Sequence, residues 1–298
     1  MSAASQIRAI AATTQLSAVF GDPVEHSLSP AMHNAAYAAL NIDRAYLAFH
    51  VRAEELATAL RAIPALNILG VNLTVPHKER AAALIKDLNA EARLLAAVNC
   101  VVNRRGRLLG DNSDARGLEA DLREHGVDLR GKQALVIGAG GGAAAAVLAC
   151  LRRGARQIVI ANRTTARAML LARRFARLKI GRSQIVARGL DALTDRELLG
   201  ECELVINATP MGLTTARFAP LNYPATATGC TFYDMVYARE PTAFIKPAIA
   251  LRRRAADGAG MLVAQGELAF KLFNGVSAPA GVMRAALWER LGRAPVVS

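Results

Sequence analysis

The stretch that most restricts what this chain can fold into is Ala134-Leu135-Val136-Ile137 followed by Gly138-Ala139-Gly140-Gly141-Gly142-Ala143. Four apolar residues and then a G-x-G-x-x-A pattern read as a strand, a tight turn and the start of a helix. In such a turn the first glycine permits the bend and the second lets the backbone approach a pyrophosphate. The small third position lets the helix pack closely on the strand. Amides at the helix N-terminus then face the phosphates. A second apolar run, Gln157 to Ala161, follows at the spacing of a βαβ unit, which makes Gly138, Gly140, Gly141, Gly142 and Ala143 candidate dinucleotide contacts. The uncharged run from Gln133 to Leu151 is 19 residues long, nearly enough to cross a bilayer. Eleven of them are Gly or Ala, however, which would insert poorly, and the strand, turn and helix explain the run better.

The end of the second strand selects the dinucleotide. An NAD site places Asp or Glu there for the ribose 2′-hydroxyl, whereas this chain has Asn162-Arg163-Thr164 and then Arg167. Two arginines suit a 2′-phosphate, so NADP is the expected cofactor. Arginines on a solvated surface would give the same residues; the missing acidic residue favours the phosphate. Charge placement agrees. The chain carries a net charge of +13, and thirteen Lys and Arg fall between Leu129 and Leu190, where there is no Asp or Glu. A basic segment also suits nucleic acid. Phe175 is its one aromatic residue, so a platform for stacking bases is unsupported. Farther on, strands over Glu203 to Asn207 and Thr231 to Val236 enclose the loop Ala208-Thr209-Pro210-Met211-Gly212, which a sheet of this type turns towards its cofactor crevice. A helix over roughly Pro241 to Ala255, a flexible break at Asp257 to Gly260, and helices over Met261 to Phe273 and Pro279 to Leu291 complete this half.

The first half alternates strands near Ala18, Tyr46 and Val71 with helices from Ser29, Ala53 and His77, an α/β pattern. Val98 to Val102 and Arg107 to Leu109 flank a turn, which places an antiparallel hairpin at the edge of a mainly parallel sheet. Within this half, Gly70 to Lys78 stands out. Asn72 and Thr74 lie two apart on one face of an otherwise apolar strand, Pro76 ends it, and Lys78 falls in the first turn of a helix over His77 to Leu88. The helix dipole there disfavours a second positive charge and pulls the lysine pKa towards a range useful for proton transfer. An exposed lysine opening an amphipathic helix fits the same spacing. Near the start, Ser29 reads as an N-cap with Pro30 at the first helical position, and Ser27 and Ser29 together offer hydroxyls at a helix N-terminus, a site for a carboxylate. The four cysteines include no C-x-x-C pair, and the histidines no metal-ligand spacing, so no metal is expected and a reducing, cytoplasmic setting fits. The first 15 residues lack the apolar core of a signal peptide.

Taken in order, several segments resemble the shikimate dehydrogenase family: His26 to Pro30, Val71 to Lys78, Val98-Asn99, Gly110 to Asp114, Asn162 to Thr164 with Arg167, Tyr233 to Tyr237, and Gly260 to Gln265. The resemblance implies NADPH-dependent, reversible reduction of 3-dehydroshikimate to shikimate, on the route to aromatic amino acids. It implies Lys78 and Asp114 at the reacting centre. Ser27, Ser29 and Tyr237 would hold the substrate carboxylate, and Thr74, Asn99, Asp114 and Gln265 the ring oxygens, with Asn72 lining the pocket. To the cofactor contacts it adds Asn162, Thr164, Thr209, Met235 and Gly260. Gln265 is also a polar residue in an apolar helical stretch, and a buried amide needs partners. Ala115 and Arg116 stand where the family often has glycine after the aspartate, and Ser113 where it has threonine; neither removes a functional group. The expected architecture is α/β: a substrate domain over residues 1–116, a Rossmann-like NADP-binding domain over 117–257, and helices in 258–298 packing back on the first. Such a protein acts on a small molecule, without nucleic acid or membrane, as a monomer or homodimer. A quinate/shikimate dehydrogenase of broader substrate or cofactor range is the nearest alternative. A nucleic-acid-binding protein with a non-catalytic dinucleotide fold is a more distant one, since it leaves Lys78, Asp114 and Gln265 without a task.

Overall fold

The computed structural model describes residues 10–178, 180, 183–211 and 218–293, so Gly212, Lys179 and Arg182 lie outside the described residues, as does the beginning of the N-terminal extension. The chain divides into two units. One runs to Ser113 and resumes at Val263; the other is Asp114–Leu262.

The first unit is built on a six-stranded sheet: β1 (Gln15–Gly21), β2 (Arg44–His50), β3 (Gly70–Leu73), β4 (Asp87–Leu88), β5 (Cys100–Arg104) and β6 (Arg107–Asp111), in the order β2-β1-β3-β5-β6-β4. β1 pairs parallel with β2 and β3, so both neighbours of β1 are reached by helical crossovers. The β5–β6 hairpin is antiparallel and turns through Arg105 at φ 54° and Gly106 at φ 88°, a left-handed pair that matches strand twist. It does not form the edge expected of it: β4 pairs parallel with β6 and covers it. Two residues carry no periodicity, so such a strand leaves no pattern to read. The same segment shortens the helix that carries Lys78 to His77–Leu84, because Ile85 is extended and buried and turns the chain into β4. Apolar side chains of Ala18, Phe20, Leu60, Ile63, Val71 and Val101 fill this unit's core.

The second unit holds an all-parallel sheet of β7 (Gln133–Ile137), β8 (Gln157–Ala161), β9 (Gln184–Arg188), β10 (Cys202–Asn207), β11 (Thr231–Asp234) and β12 (Arg254–Asp257), ordered β12-β11-β10-β7-β8-β9. This is the doubly wound order, with the reversal between β7 and β10 where such sheets bind ligands. The helix Gly141–Arg152 links β7 to β8 and is buried from Ala143 through Leu151. Two expectations fail here. Arg254–Asp257 is strand rather than the end of a helix, since the chain turns at Arg252 (φ 55°) and pairs with β11; helix is confined to Lys246–Ala250. Asp257 to Gly260 is no flexible break either. A helix begins at Ala259 and runs to Asn274, and a Cβ at Gly258 would overlap the Met235 carbonyl. These glycines serve close packing, which the sequence does not distinguish from mobility. Among the described residues no helix is long and apolar enough to cross a membrane.

Candidate functional site

In the first unit the candidate substrate residues converge on a buried polar chain. Asn72 on β3 and Tyr46 on β2 meet across the intervening β1, where the Tyr46 hydroxyl donates to Asn72 Oδ1 at 2.7 Å. From Asn72 the chain continues: its Nδ2 donates to the Asn99 carbonyl at 3.2 Å, and Asn99 Nδ2 donates to Ser113 Oγ at 3.1 Å while the Ser113 N–H returns to Asn99 Oδ1 at 2.9 Å. Ser29, Tyr46, Asn72, Asn99 and Ser113 are all buried. Burial pushes the Tyr46 phenol well above its ordinary pKa, so it stays a neutral donor. His33 stacks on Tyr46 with ring centroids 4.1 Å apart, and burial takes its pKa down to about 3, which keeps this imidazole neutral too. The chain is therefore made of dipoles, each oriented by the next.

Backbone bonds seat the remaining residues around it. Thr74 follows β3 with its N–H on the Phe20 carbonyl at 3.0 Å, and a Cβ at Gly21 would come within 2.5 Å of its methyl, so the small residue at the end of β1 makes room for Thr74. Lys78, half-buried, is the second residue of its helix, and its carbonyl accepts the Val98 N–H at 2.9 Å. Residues 98 and 99 thus hold the lysine segment by backbone and Ser113, the neighbour of Asp114, by side chain. Asp114 opens the Asp114–Glu124 helix and is 5% exposed. Ser29 is the first helical residue rather than the expected cap; Leu28 occupies that position without a side-chain bond, and the Ser29 N–H reaches Ser27 Oγ at 3.4 Å. The orphan amide is met by the residue two before it, a role that spacing alone does not separate from capping by Ser29. Gln265 is half-buried within the Ala259–Asn274 helix. Tyr46 is the member that sequence reasoning missed. It shares its strand face with Arg44, Ala48 and His50, so no break in an apolar pattern marks it.

In the second unit the dinucleotide turn has the expected build. Gly138 sits at φ 121°, where side chains are strained, and a Cβ there would come within 3.0 Å of both the Ala208 carbonyl and the Thr209 methyl. Gly140 precedes the Gly141–Arg152 helix, and a Cβ on it would meet no described atom within 4 Å, so it would project into the space before the helix N-terminus. Backbone can approach a pyrophosphate there only because that Cβ is absent. Gly142 lies under Met235, whose Cε would be 3.6 Å from an added Cβ, and Ala143 is fully buried. At the end of β8, Asn162 Nδ2 donates to the Thr164 carbonyl at 3.0 Å and shapes the turn that exposes Arg163; Arg167 is exposed in the first turn of the next helix. Together these residues fit a dinucleotide with a phosphate on its ribose.

The ends of β10 and β11 add a network with no counterpart in the sequence reading. Asn207 Oδ1 accepts the Thr209 N–H at 3.0 Å and its hydroxyl at 2.6 Å, while Asn207 Nδ2 donates to Asp234 Oδ1 at 2.9 Å. Asp234 also accepts Thr242 Oγ1 at 2.5 Å and the Val236 N–H at 3.1 Å. Burial pushes its carboxyl up to about 6 against the pull of these donors. The buried pair fixes both the Thr209 loop and the segment Met235–Val236 that leads to Tyr237, which is half-buried. Gly260 lies farther on, in the first turn of its helix. Among the described residues no group of His, Cys, Asp or Glu is placed to hold a metal ion.

Comparison with known proteins agrees with this geometry. Residues 19–101 match the shikimate dehydrogenase substrate binding domain, residues 121–215 match shikimate / quinate 5-dehydrogenase, and residues 258–287 match the shikimate 5'-dehydrogenase C-terminal domain. A shikimate dehydrogenase (NADP(+)) from Citrifermentans bemidjiense is 38% identical over 95% of this chain and 97% of its own length. The crystal structure of shikimate 5-dehydrogenase from Thermus thermophilus in complex with NADP(H) and shikimate superposes with a TM-score of 0.82 at 35% identity, covering 93% of this chain and 100% of that one. Quinate dehydrogenase from Corynebacterium glutamicum in complex with NAD gives a TM-score of 0.84 at 27% identity, covering 93% and 99%. With identity of this extent over nearly its whole length, the chain belongs to the shikimate dehydrogenase family.

Proposed function

We propose that this protein interconverts 3-dehydroshikimate and shikimate with NADPH and NADP, on the route to aromatic amino acids. The observation that supports the reading is the buried polar chain of the first unit, in which Tyr46, Asn72, Asn99 and Ser113 bond one another beside the segment that carries Lys78, whose carbonyl accepts the Val98 N–H. When bound, NADPH supplies the hydride that reaches the carbonyl carbon. Lys78 donates a proton to the oxygen that becomes the new hydroxyl, and is reprotonated from solvent; in the reverse direction its neutral amine takes that proton. Its charge also stabilises the forming alkoxide. Asp114 favours the ammonium form and accepts from a ring hydroxyl.

Ser27, Ser29 and Tyr237 hold the substrate carboxylate. Thr74, Asn99 and Gln265 take the ring oxygens. Asn72 has its carbonyl committed to Tyr46 and one amide hydrogen to Asn99, which leaves the other for substrate. On the cofactor, Gly138, Gly140, Gly141, Gly142 and Ala143 form the pyrophosphate cradle, Arg163 and Arg167 with Asn162 and Thr164 receive the 2′-phosphate, and Thr209, Met235 and Gly260 line the crevice.

The fold does not separate shikimate from quinate oxidation, since the quinate dehydrogenase above superposes as well as the shikimate enzyme. The arginines do bear on it, because they match NADP rather than NAD. Initial rates with shikimate and quinate against NADP and NAD test the proposal. The pair shikimate and NADP is expected to be fastest; faster NAD-linked oxidation of quinate would overturn it.

A further inference from the structure

Asn207, the last residue of β10, has no part in the chemistry above, yet its side chain is fully buried and bonded at every position. Its Oδ1 takes the Thr209 N–H and hydroxyl, and its Nδ2 donates to Asp234 Oδ1 at 2.9 Å and to the Met211 carbonyl at 3.3 Å. A primary amide has two donors and two acceptor sites, so none is left over. These neighbours also fix which way the amide points. An ionised carboxylate only accepts and a backbone N–H only donates, so the nitrogen faces Asp234 and the oxygen faces Thr209. Asp234 is the register partner of Asn207 on β11 and is itself tied to Thr242 and the Val236 N–H, which leaves the pair one arrangement. Burying such groups costs more than burying apolar ones, so the position calls for a role that an apolar residue would not fill.

The loop that Asn207 holds indicates that role. The Ala208 N–H still reaches the Ile137 carbonyl of β7 at 2.9 Å, but beyond it the chain relies on side chains. The Thr209 N–H is taken by Asn207 Oδ1 at 3.0 Å, Pro210 has no N–H, and the Met211 N–H is taken by Thr209 Oγ1 at 3.3 Å. This loop lies against the dinucleotide turn. A Cβ at Gly138 would come within 3.0 Å of both the Ala208 carbonyl and the Thr209 methyl, and one at Gly142 would lie 3.7 Å from the same carbonyl. The Thr209 hydroxyl gives its single proton to Asn207 at 2.6 Å and has none left for a ligand. Its work is to hold the loop, which leaves backbone and methyl to face a dinucleotide.

We propose that Asn207 is a positioning residue for the cofactor: oriented by Asp234, its amide holds residues 208 and 209 at the separation from the glycine turn that NADP requires. The inference rests on the proposed placement of NADP at that turn. Misplacing a binding group by about 1 Å can cost up to about a hundredfold, so the effect is measurable without loss of the fold.

The test compares Asn207→Ala, Asp234→Asn, Thr209→Val, the double variant Asn207→Ala/Thr209→Val and Gly138→Ala, all well below their unfolding midpoints. Assays run above neutral pH, where the Asp234 carboxyl, pushed up to about 6 by burial, is ionised. Asn207→Ala is expected to raise the KM for NADP about tenfold and to leave that for shikimate within about twofold, a split that general loosening of the fold would not give. Asp234→Asn keeps an acceptor for the Asn207 amide and is expected to leave the NADP KM within about twofold. Thr209→Val keeps a methyl but loses the bond to Asn207, for an increase in the NADP KM of about threefold. The double variant is expected to match Asn207→Ala alone, as for residues acting through one contact, whereas a hydroxyl that touched NADP directly would multiply the two effects. If Asn207→Ala does not fold, Thr209→Val carries the test on the same two constants. A normal NADP KM in both Asn207→Ala and Thr209→Val, equal effects on both ligands, or multiplying effects in the double variant would overturn the inference alone. An NADP KM unmoved by Gly138→Ala would overturn the placement of NADP at the turn, and the inference with it.

Discussion

In the first unit Tyr46, Asn72, Asn99 and Ser113 come from distant parts of the chain and bond one another in sequence, whereas the turn Gly138 to Gly142 in the second unit offers no polar side chain at all. Both belong to the proposed recognition sites, and they are built in opposite ways. A ring bearing hydroxyls and a carboxylate needs donors and acceptors at fixed positions, and neutral side chains that orient each other supply them at low desolvation cost. A pyrophosphate needs amides and the positive end of a helix, which any sequence supplies provided no side chain intervenes. The first surface is therefore sensitive to the loss of a functional group, and the second to the gain of a methyl.

Lys78→Ala should have the largest effect. Its carbonyl still accepts the Val98 N–H, so the fold should hold while kcat falls by roughly a thousandfold, within the range for loss of a general acid that also stabilises charge. A kcat within a few fold of wild type, with an unchanged circular dichroism spectrum, would remove Lys78 from the reacting centre. Gly138→Ala comes next. It adds only a methyl, yet at φ 121° and 3.0 Å from the Ala208 carbonyl it should cost about 1–3 kcal/mol of stability and raise the KM for NADP at least about tenfold. Thermal melts and NADP titrations of the rate check both; a neutral Gly138→Ala would mean that the turn does not need its left-handed residue.

Asp234 extends the comparison, because here the second unit does rely on a side chain. Its carboxyl titrates at about 6 in the fold against an ordinary value of 3.8. The raised value means that the proton stabilises the native state below about pH 4 and that this contribution is lost as pH rises through 6. Asp234→Asn has no such titration. The stability of wild type relative to the variant should therefore fall by about 2 kcal/mol between pH 4 and 7, read from melting temperatures across that range. A difference independent of pH would show that Asp234 does not titrate there.

The two regions also differ in how far they are legible in sequence. The glycine turn is local: its chemistry follows from spacing within ten residues, and Arg163 and Arg167 follow from the end of the next strand. The strand faces that carry Asn72 and Thr74 are legible for the same reason. What is not legible is convergence from distant segments. Nothing near Tyr46 says that its hydroxyl will meet Asn72, and nothing in Asn207 announces Asp234, because those contacts depend on strand order. β4 and β12 escape for another reason. They are sheet pairings imposed on segments whose own pattern is absent or helical, so tertiary hydrogen bonds outweigh local preference.

The central claim is that the buried polar chain of the first unit serves the substrate, and the glycine turn and arginines of the second the cofactor, by separate means. Its most direct test is the KM of each ligand for two variants, Tyr46→Phe and the double variant Arg163→Ala/Arg167→Ala. Tyr46→Phe removes the donor to Asn72 and should raise the shikimate KM about tenfold with the NADP KM unchanged. The arginine pair should do the reverse, raising the NADP KM about tenfold and leaving shikimate and residual NAD-linked activity alone. If either variant raised both constants alike, the division of labour between these two regions would be wrong.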